Sequence, residues 1–117
     1  MSGVADLDRL EPASARRPAE CPVEDWLAFL GHRWNALILW HLKDGPRRYG
    51  ELARLLPGAS PKILSERLAG LVARGIVARH STSTYPRRVA YRLSAKGRDL
   101  VAIIDEIELW DRRARAA

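Results

Sequence analysis

The sequence predicts a mainly α-helical fold of the α+β class, in which several helices are followed by a β-hairpin and one further helix. Three observations lead to this prediction. The chain has 117 residues, the length of one domain. Apolar residues recur at helical spacing through most of residues 22–75 and again after residue 94. Between these regions, two short runs joined by polar and basic residues have the pattern of paired strands.

The amino-terminal end of the chain predicts a tail and then a short helix. Residues 1–20 hold prolines and scattered charges without a sustained apolar period, so we predict a mobile tail, and a folded domain over residues 21–117. Pro22 suits the first position of a helix, and Gly31 is expected to end it. Its apolar stripe comprises Val23, Trp26, Leu27 and Leu30.

Two more helices are predicted before residue 56. The helix over Arg33–Lys43 is apolar on most sides, which is typical of a central core helix. The segment Asp44–Pro46 should end it, because proline cannot continue the helical hydrogen bonds. A brief helix is predicted over Tyr49–Leu55. The residues expected to face inward from it are Leu52, Leu55 and Leu56.

A fourth helix is predicted after the turn at Pro57–Ala59. Ser60 has the side chain of an N-cap, and Pro61 fits the next position because its missing N–H would have no partner there. Gly75 is expected to stop this helix. Its buried stripe is predicted to contain Leu64, Leu68, Leu71 and Val72.

Two strands and a last helix complete the predicted fold. The strands are expected over Ile76–His80 and Val89–Leu93, with a polar, basic hairpin tip between them. Ser94 is predicted to cap the last helix, which has a broad apolar face. Helices in this order followed by a hairpin predict a winged helix-turn-helix with added N- and C-terminal helices.

The basic residues are concentrated in one part of the chain. The net charge is +6, and residues 60–93 alone hold seven basic residues and one acidic residue. We expect this surplus to form one continuous surface for a polyanionic partner. A helix fits the major groove of DNA, and a basic hairpin can follow the backbone or enter the minor groove. Double-stranded DNA is therefore the predicted partner.

The fourth helix should present its polar side chains to DNA. Opposite the stripe around Leu64 lie Lys62, which could meet phosphate or guanine, and Ser65, which could meet phosphate or a base. Glu66 could accept from a cytosine amino group. Arg67 lies at the edge of the stripe, and Arg87 and Arg88 lie at the hairpin tip. Each of these residues could instead be a solvated surface charge.

Several segments resemble the successive motifs of the HxlR-type transcriptional regulators, which are similar in fold to MarR regulators. The resemblance covers nearly all of residues 21–110, in order and with the family's spacing. The segments are Cys21–Val23, Gly31–Trp34, Gly45–Leu52, Leu56–Leu68 and Tyr85–Ser94.

The resemblance implies a homodimer that binds pseudopalindromic operator DNA and dimerises through its first and last helices. It places Ser60, Pro61, Lys62, Ser65 and Arg67 on the recognition helix and Arg87 and Arg88 on the wing. Arg48, in the third motif, is also expected to contact DNA. The expected dimer interface comprises Val23, Trp26, Leu27, Leu30, Ile103, Ile107 and Trp110.

Two positions depart from the family pattern. Ala90 stands where an acidic residue is common, so the contact made by that acidic side chain is absent. Ala69 stands where a charged residue is frequent, which leaves fewer side chains to read bases.

Cys21 has two interpretations, both of which stay open. In some members of the family the cysteine of this Cys-Pro motif is a redox switch. A position just before Pro22 at the start of a helix favours a thiolate, whereas Glu20, Glu24 and Asp25 oppose it. Since Cys21 is the single cysteine, oxidation could give an interchain bond, a mixed disulfide or an overoxidised sulfur. The alternative is an inert, half-buried cap residue.

The remaining aromatic and histidine residues favour structural roles. Trp26 and Trp34 could line a pocket for a small-molecule effector but are better explained as core and interface anchors. His41 is expected to be a core histidine. The histidines lack the spacing of metal ligands, so no metal or cofactor is predicted.

The sequence also narrows the class of function. No apolar run approaches the length of a membrane span, and no signal peptide is evident, so a soluble, cytoplasmic protein is expected. Glycine-rich phosphate loops, paired catalytic acids and nucleophile–histidine spacings are absent from the sequence, so an enzyme is not predicted. The competing hypothesis is a winged-helix interaction module that binds an acidic protein partner.

Overall fold

A computed structural model describes residues 22–116 of the chain. The chain divides into two compact units, of which the first ends at His32 and the second begins at Arg33. The predicted tail over residues 1–20 and Cys21 lie outside the described residues. The predicted division of the chain at residue 21 therefore stays a prediction.

The described part of the first unit is helix α1, Pro22–Leu30. The helix begins at the predicted proline, and Gly31 follows its end with its N–H donating to the Leu27 carbonyl at 2.8 Å. Within α1 the Trp26 and Phe29 rings meet edge to face, with centroids 5.8 Å apart.

The second unit contains four helices and a three-stranded antiparallel sheet. The strand order is β1-β3-β2, and β2 and β3 form the predicted hairpin. This architecture confirms the mainly α-helical winged helix-turn-helix with helices added at both ends. Its elements are α2 (Arg33–Leu42), β1 (Arg47–Arg48), α3 (Tyr49–Leu55), α4 (Pro61–Ala73), β2 (Val77–Ser81), β3 (Val89–Leu93) and α5 (Ala95–Ala116).

Helix α2 is the centre of the core, as predicted. It packs against α3, α4, α5 and β3, and its Ile38, Leu39 and Leu42 are at most 1% exposed. The side of α2 that carries Trp40 is exposed, and there the Lys43 ammonium lies 4.4 Å from the centre of the indole ring. Other fully buried side chains of this core are Leu52, Leu64, Leu68, Leu71 and Ile76.

Three details differ from the sequence predictions. Leu55 was expected to face inward, but it is exposed, because Leu52 and Leu56 fill the inner side of α3 and its end. The first hairpin strand begins at Val77 rather than Ile76, because the Ile76 N–H donates to the Leu71 carbonyl in the turn that ends α4. Strand β1 was not predicted.

The start of α5 is fixed to the turn after α4. Ser94 caps α5 as predicted, since its Oγ accepts from the Gly97 N–H at 3.0 Å and donates to the Gly75 carbonyl at 2.6 Å. A Cβ atom on the buried Gly97 would lie 2.0 Å from the Ile76 carbonyl oxygen. The close approach of α5 to this turn therefore requires glycine. Within residues 22–116, no helix has both the length and the apolar character to cross a membrane.

Candidate nucleic-acid interface

The orientation of α4 is set by its buried leucines and its N-terminal cap. Leu64, Leu68 and Leu71 are 0–1% exposed, so the opposite side of the helix faces outward. Val72, which was predicted to belong to the same buried stripe, is only half-buried. At its start, Ser60 Oγ accepts from the Ile63 N–H at 3.2 Å, and Pro61 follows at the first helical position. These are the predicted cap and the predicted proline.

The outward side of α4 carries the polar residues that were expected to read DNA. Lys62, Ser65 and Glu66 are exposed, and Ala69 is exposed beside them without a charge. Arg67 is half-buried, in keeping with its position at the edge of the leucine stripe. The side chains available for base contacts are therefore few and lie in the first two turns of the helix.

Arg87 and Arg88 lie in the hairpin just beyond the last paired residues of β2 and β3. The register runs from Val77 opposite Leu93 to Ser81 opposite Val89. One more pair of bonds extends it, because the Thr82 N–H donates to the Arg88 carbonyl and the Arg88 N–H donates to Thr82 Oγ1, both at 3.0 Å. The backbone of Arg88 is thus held in the last hydrogen-bonded pair of the hairpin, and the exposed Arg87 lies in the loop that follows this pair.

Between α4 and the hairpin lies an open cleft of about 420 Å³, here named the arginine cleft. None of the residues that line it is acidic. Among residues 22–116, no group of three or more His, Cys, Asp or Glu side chains could hold a metal ion. The cleft therefore offers guanidinium and hydroxyl groups to an anion. The polar and aromatic residues that line it are Arg48, Tyr49, Ser65, Arg79, Arg88 and Tyr91.

One wall of the arginine cleft is tied to the start of α4 by Tyr49. The Tyr49 hydroxyl donates to the Pro61 carbonyl at 3.3 Å and lies 3.4 Å from Ser65 Oγ. Next to it, the Arg48 N–H donates to Glu51 Oε1 at 3.0 Å, which holds the start of α3. Arg48, which only the family resemblance had indicated, thus lines the same cleft as Ser65 of α4.

Arg79 and Tyr49 are residues of this surface that sequence reasoning missed. Alternation along β2 places Arg79 on the same side of the sheet as Val77, and its partner across the ladder is the largely buried Tyr91. The alternation was readable from the sequence. The sequence did not show that the start of α4 packs next to Arg79, and this packing is what makes Arg79 part of the cleft.

The basic surplus of residues 60–93 does not all lie on one surface. Arg92 alternates with Tyr91 and lies on the opposite side of the sheet, where it lines a separate pocket with His80 and Ala90. The expectation of one continuous basic surface is therefore wrong for Arg92. Ala90, which stands where the family commonly has an acidic residue, also lies on that opposite side.

Trp34 supports the turn that precedes α4. A Cβ atom on Gly58 would lie 2.9 Å from the Trp34 ring, so the indole packs closely against this turn. The Arg33 guanidinium lies 4.7 Å from the centre of the same ring. These contacts support the structural interpretation of Trp34. His41 is half-buried, and its carbonyl accepts from Arg47 Nε at 2.9 Å.

The sequence of the chain, including the residues of this surface, matches a known protein family. A family model described as HxlR-like helix-turn-helix matches residues 29–116. The HTH-type transcriptional regulator YodB of Bacillus subtilis (strain 168) is 41% identical over 91 residues, which are 77% of this chain and 81% of YodB.

Solved structures agree with this relationship. The reduced form of YodB from B. subtilis matches with a TM-score of 0.72 at 39% identity and covers 77% of this chain and 88% of its own. The redox regulator HypR in its oxidised form matches with a TM-score of 0.71 at 33% identity, over 80% of this chain and 96% of its own. The chain belongs to the HxlR-like helix-turn-helix family of DNA-binding transcriptional regulators.

Proposed function

We propose that the protein is a cytoplasmic, homodimeric regulator that binds a pseudopalindromic operator in a sequence-specific manner. In this proposal the two α4 helices enter successive major grooves, about 34 Å or a multiple of it apart. The observation that supports it best is the arrangement around α4. Its exposed polar side adjoins the arginine cleft and the basic hairpin, so contacts to bases and to phosphates could form together.

The side chains of α4 would supply the sequence specificity. Lys62 can donate to guanine or to phosphate, Ser65 can bond a base or a phosphate, and Glu66 can accept from the cytosine amino group. All three are exposed in the first two turns of the helix, with Ser60 and Pro61 fixing where those turns begin. The half-buried Arg67 would brace the helix or touch a phosphate.

The hairpin and the start of α3 would supply affinity for the DNA backbone. Arg87 and Arg88 are exposed at the hairpin, and Arg48 is exposed at the opposite wall of the arginine cleft. Arginine is favoured both at phosphates and in narrow minor grooves, where the negative potential is strongest. These contacts would position the protein on any duplex.

Exposed apolar stripes on α1 and α5 support the homodimer. On α5, Ile103, Ile107 and Trp110 are 59%, 58% and 62% exposed at a spacing that places them on one side of the helix. On α1, Val23 and Leu27 are 66% and 65% exposed, while Trp26 and Leu30 are half-buried. Apolar surface of this kind marks an interaction site, and we assign it to a second copy of the chain.

The decisive test compares Lys62→Ala with Lys96→Ala on a duplex selected in vitro and on a random duplex. Lys62→Ala should weaken binding of the selected duplex about tenfold for each half-site, since one good base contact is worth about 1–3 kcal/mol. Lys96, exposed at the start of α5, is the control for loss of one positive charge. Arg87→Ala and Arg88→Ala should weaken binding to both duplexes and reduce its salt dependence.

Two outcomes would contradict the proposed function. Wild-type binding that does not depend on salt concentration would exclude a phosphate interface. Failure to bind either duplex would favour the competing hypothesis of an acidic protein partner.

The family relationship also supports an oxidant-responsive regulator. YodB has been solved in quinone-bound and diamide-treated forms, and HypR is a redox regulator. We propose that Cys21, the single cysteine of this chain, carries such a response. Two Cys21 thiols of a dimer would lose two protons and two electrons to the oxidant and form an interchain disulfide.

A non-reducing gel tests the proposed response. Diamide treatment should produce a disulfide-linked dimer band that is absent in Cys21→Ser, together with a change in DNA affinity. An unchanged gel with unchanged DNA affinity would contradict it and favour the inert cap residue.

A further inference from the structure

We propose that the arginine cleft binds one DNA backbone phosphate in each half-site, and that Arg79 is the residue that fixes the DNA strand there. The inference rests on the proposed function and adds to it a specific site and a residue that neither the motifs nor the helix pattern indicated. The occupant is the phosphate of the strand that passes between the groove entered by α4 and the groove reached by the hairpin.

The position of the cleft is the first argument. Ser65 of α4 lies at one side of it, and Arg79 and Arg88 of the hairpin lie at the other. Adjacent major and minor grooves of a duplex are separated by one sugar–phosphate backbone. If α4 occupies one groove and the hairpin lies along the next, that backbone must pass through the space between them, which is the arginine cleft.

The chemistry of the lining is the second argument. Three arginines line the cleft, and none of the lining residues is acidic, so the guanidinium groups face no competing carboxylate from within it. Guanidinium groups bind phosphate oxygens through two parallel N–H donors, which gives both strength and fixed geometry. The Ser65 hydroxyl adds a neutral donor at the same place, while the Tyr49 hydroxyl proton is engaged by the Pro61 carbonyl.

The walls of the cleft are already held in place without DNA, which is the third argument. The backbone of Arg79 is fixed opposite Tyr91 in the hairpin ladder, and Tyr91 is only 8% exposed. On the other side, the bond from Tyr49 to the Pro61 carbonyl ties the cleft to the first turn of α4. Binding would therefore lose little conformational freedom of the backbone.

A backbone phosphate is favoured over a free anion as the occupant. A volume of about 420 Å³ would also admit a small anionic ligand. However, the cleft is open and adjoins the exposed polar side of α4 at Ser65, so an anion bound in the cleft would contact the ligand bound by α4. A strand of the duplex bound by α4 satisfies this arrangement directly.

The chain offers a matched control for Arg79 in Arg92. Both are exposed arginines of the same hairpin, but Arg92 lies on the opposite side of the sheet. Arg79→Ala should weaken binding to selected and random duplexes about tenfold for each half-site, and it should lower the slope of log affinity against log salt by about 2 per dimer, near 0.9 for each lost phosphate contact. Arg92→Ala should change affinity less than about threefold. Arg79→Lys should restore part of the affinity, because it keeps the charge but not the paired donors.

Neutral phosphate analogues locate the contact on the DNA. Single methylphosphonates placed along the selected duplex should weaken wild-type binding most at one position per half-site, and Arg79→Ala should lose its sensitivity at that position only. Thermal unfolding of each variant shows whether the fold is retained.

The outcomes separate this inference from the proposed function. If the wild type binds the selected duplex and Lys62→Ala weakens it, while Arg79→Ala and Arg92→Ala behave alike, the cleft assignment is overturned and the regulator remains. Binding of inorganic phosphate that depends on Arg79, with DNA binding unaffected by its loss, would also overturn it and assign the cleft to a free anion. Absence of salt-dependent duplex binding by the wild type would contradict both.

Discussion

Helices α4 and α5 bury their apolar residues to very different extents. The three leucines of α4 are almost completely buried, the polar Lys62, Ser65 and Glu66 are exposed opposite them, and Ile63 is the one large apolar side chain of this helix that is exposed, at 37%. The buried residues of the 22-residue α5 are Gly97 and Val101, close to its start, whereas Ile103, Ile107 and Trp110 are exposed. The leucine stripe of α4 is therefore buried within one chain, whereas α5 has an apolar stripe that one chain does not cover.

The two helices also differ in how their charged side chains are paired. Near the end of α5, Arg112 pairs with Glu108 and Arg115 pairs with Asp111 at 2.8 Å, each at the i,i+4 spacing. These ions neutralise one another along the helix. Lys62 of α4, by contrast, is exposed on a helix side that adjoins the arginine cleft. The comparison indicates that α4 presents a surface for a polyanion and α5 a surface for an apolar partner.

The largest expected effect is on the free energy of unfolding, when a glycine of α5 is replaced by alanine and the result is compared with the same replacement in α4. Gly97→Ala on α5 should lower the free energy of unfolding by about 3 kcal/mol, because the new Cβ would lie 2.0 Å from the Ile76 carbonyl oxygen. Gly70→Ala on α4 should raise it by up to about 1 kcal/mol, since a Cβ there meets nothing within 4 Å and alanine favours helix. Urea unfolding measures both changes.

The opposite signs make this pair informative. Equal changes in the two variants would mean that α5 is not held against the turn after α4. The same pair would also show that the contact at the root of α5 contributes to the stability of the second unit.

The elements with a strong local pattern were predictable from the sequence. The bounds of α3 and β3 were obtained directly, and Ser60 and Ser94 were recognised as caps because capping depends on neighbours three residues away. Gly97 was not recognised as essential. Its constraint is the Ile76 carbonyl, which only the tertiary structure brings next to it.

The candidate site was predictable to the same extent. The outward residues of α4 and the hairpin arginines followed from helical periodicity and charge. Strand β1 has only two residues, Arg47 and Arg48, and no alternating pattern, so it depends on pairing with β3. Arg79 of β2 and Arg92 of β3 lie on opposite sides of the sheet, and which side adjoins the cleft depends on where α4 packs.

The second effect in size tests the uncovered side of α5. Trp110→Ala should weaken self-association by about 2 kcal/mol, or roughly 30-fold, because tryptophans are enriched among the residues that dominate interfaces. Leu109→Ala is the control, since Leu109 is 43% exposed on the next helix position, away from the stripe. Analytical ultracentrifugation over a range of concentrations gives both dissociation constants. A Trp110→Ala variant that associates as tightly as Leu109→Ala would assign the stripe to something other than a second copy.

The smallest expected effects concern the two serine caps. Ser94 Oγ accepts from the Gly97 N–H and donates to the Gly75 carbonyl, so Ser94→Ala should cost about 1.5 kcal/mol. Ser60 Oγ has one, from the Ile63 N–H at 3.2 Å, so Ser60→Ala should cost about 1 kcal/mol. Midpoints of urea unfolding, with Ser83→Ala in the hairpin loop as the control, rank the three variants. If Ser60→Ala proved the more damaging, the start of α4 rather than the root of α5 would be the more tightly held of the two helix ends.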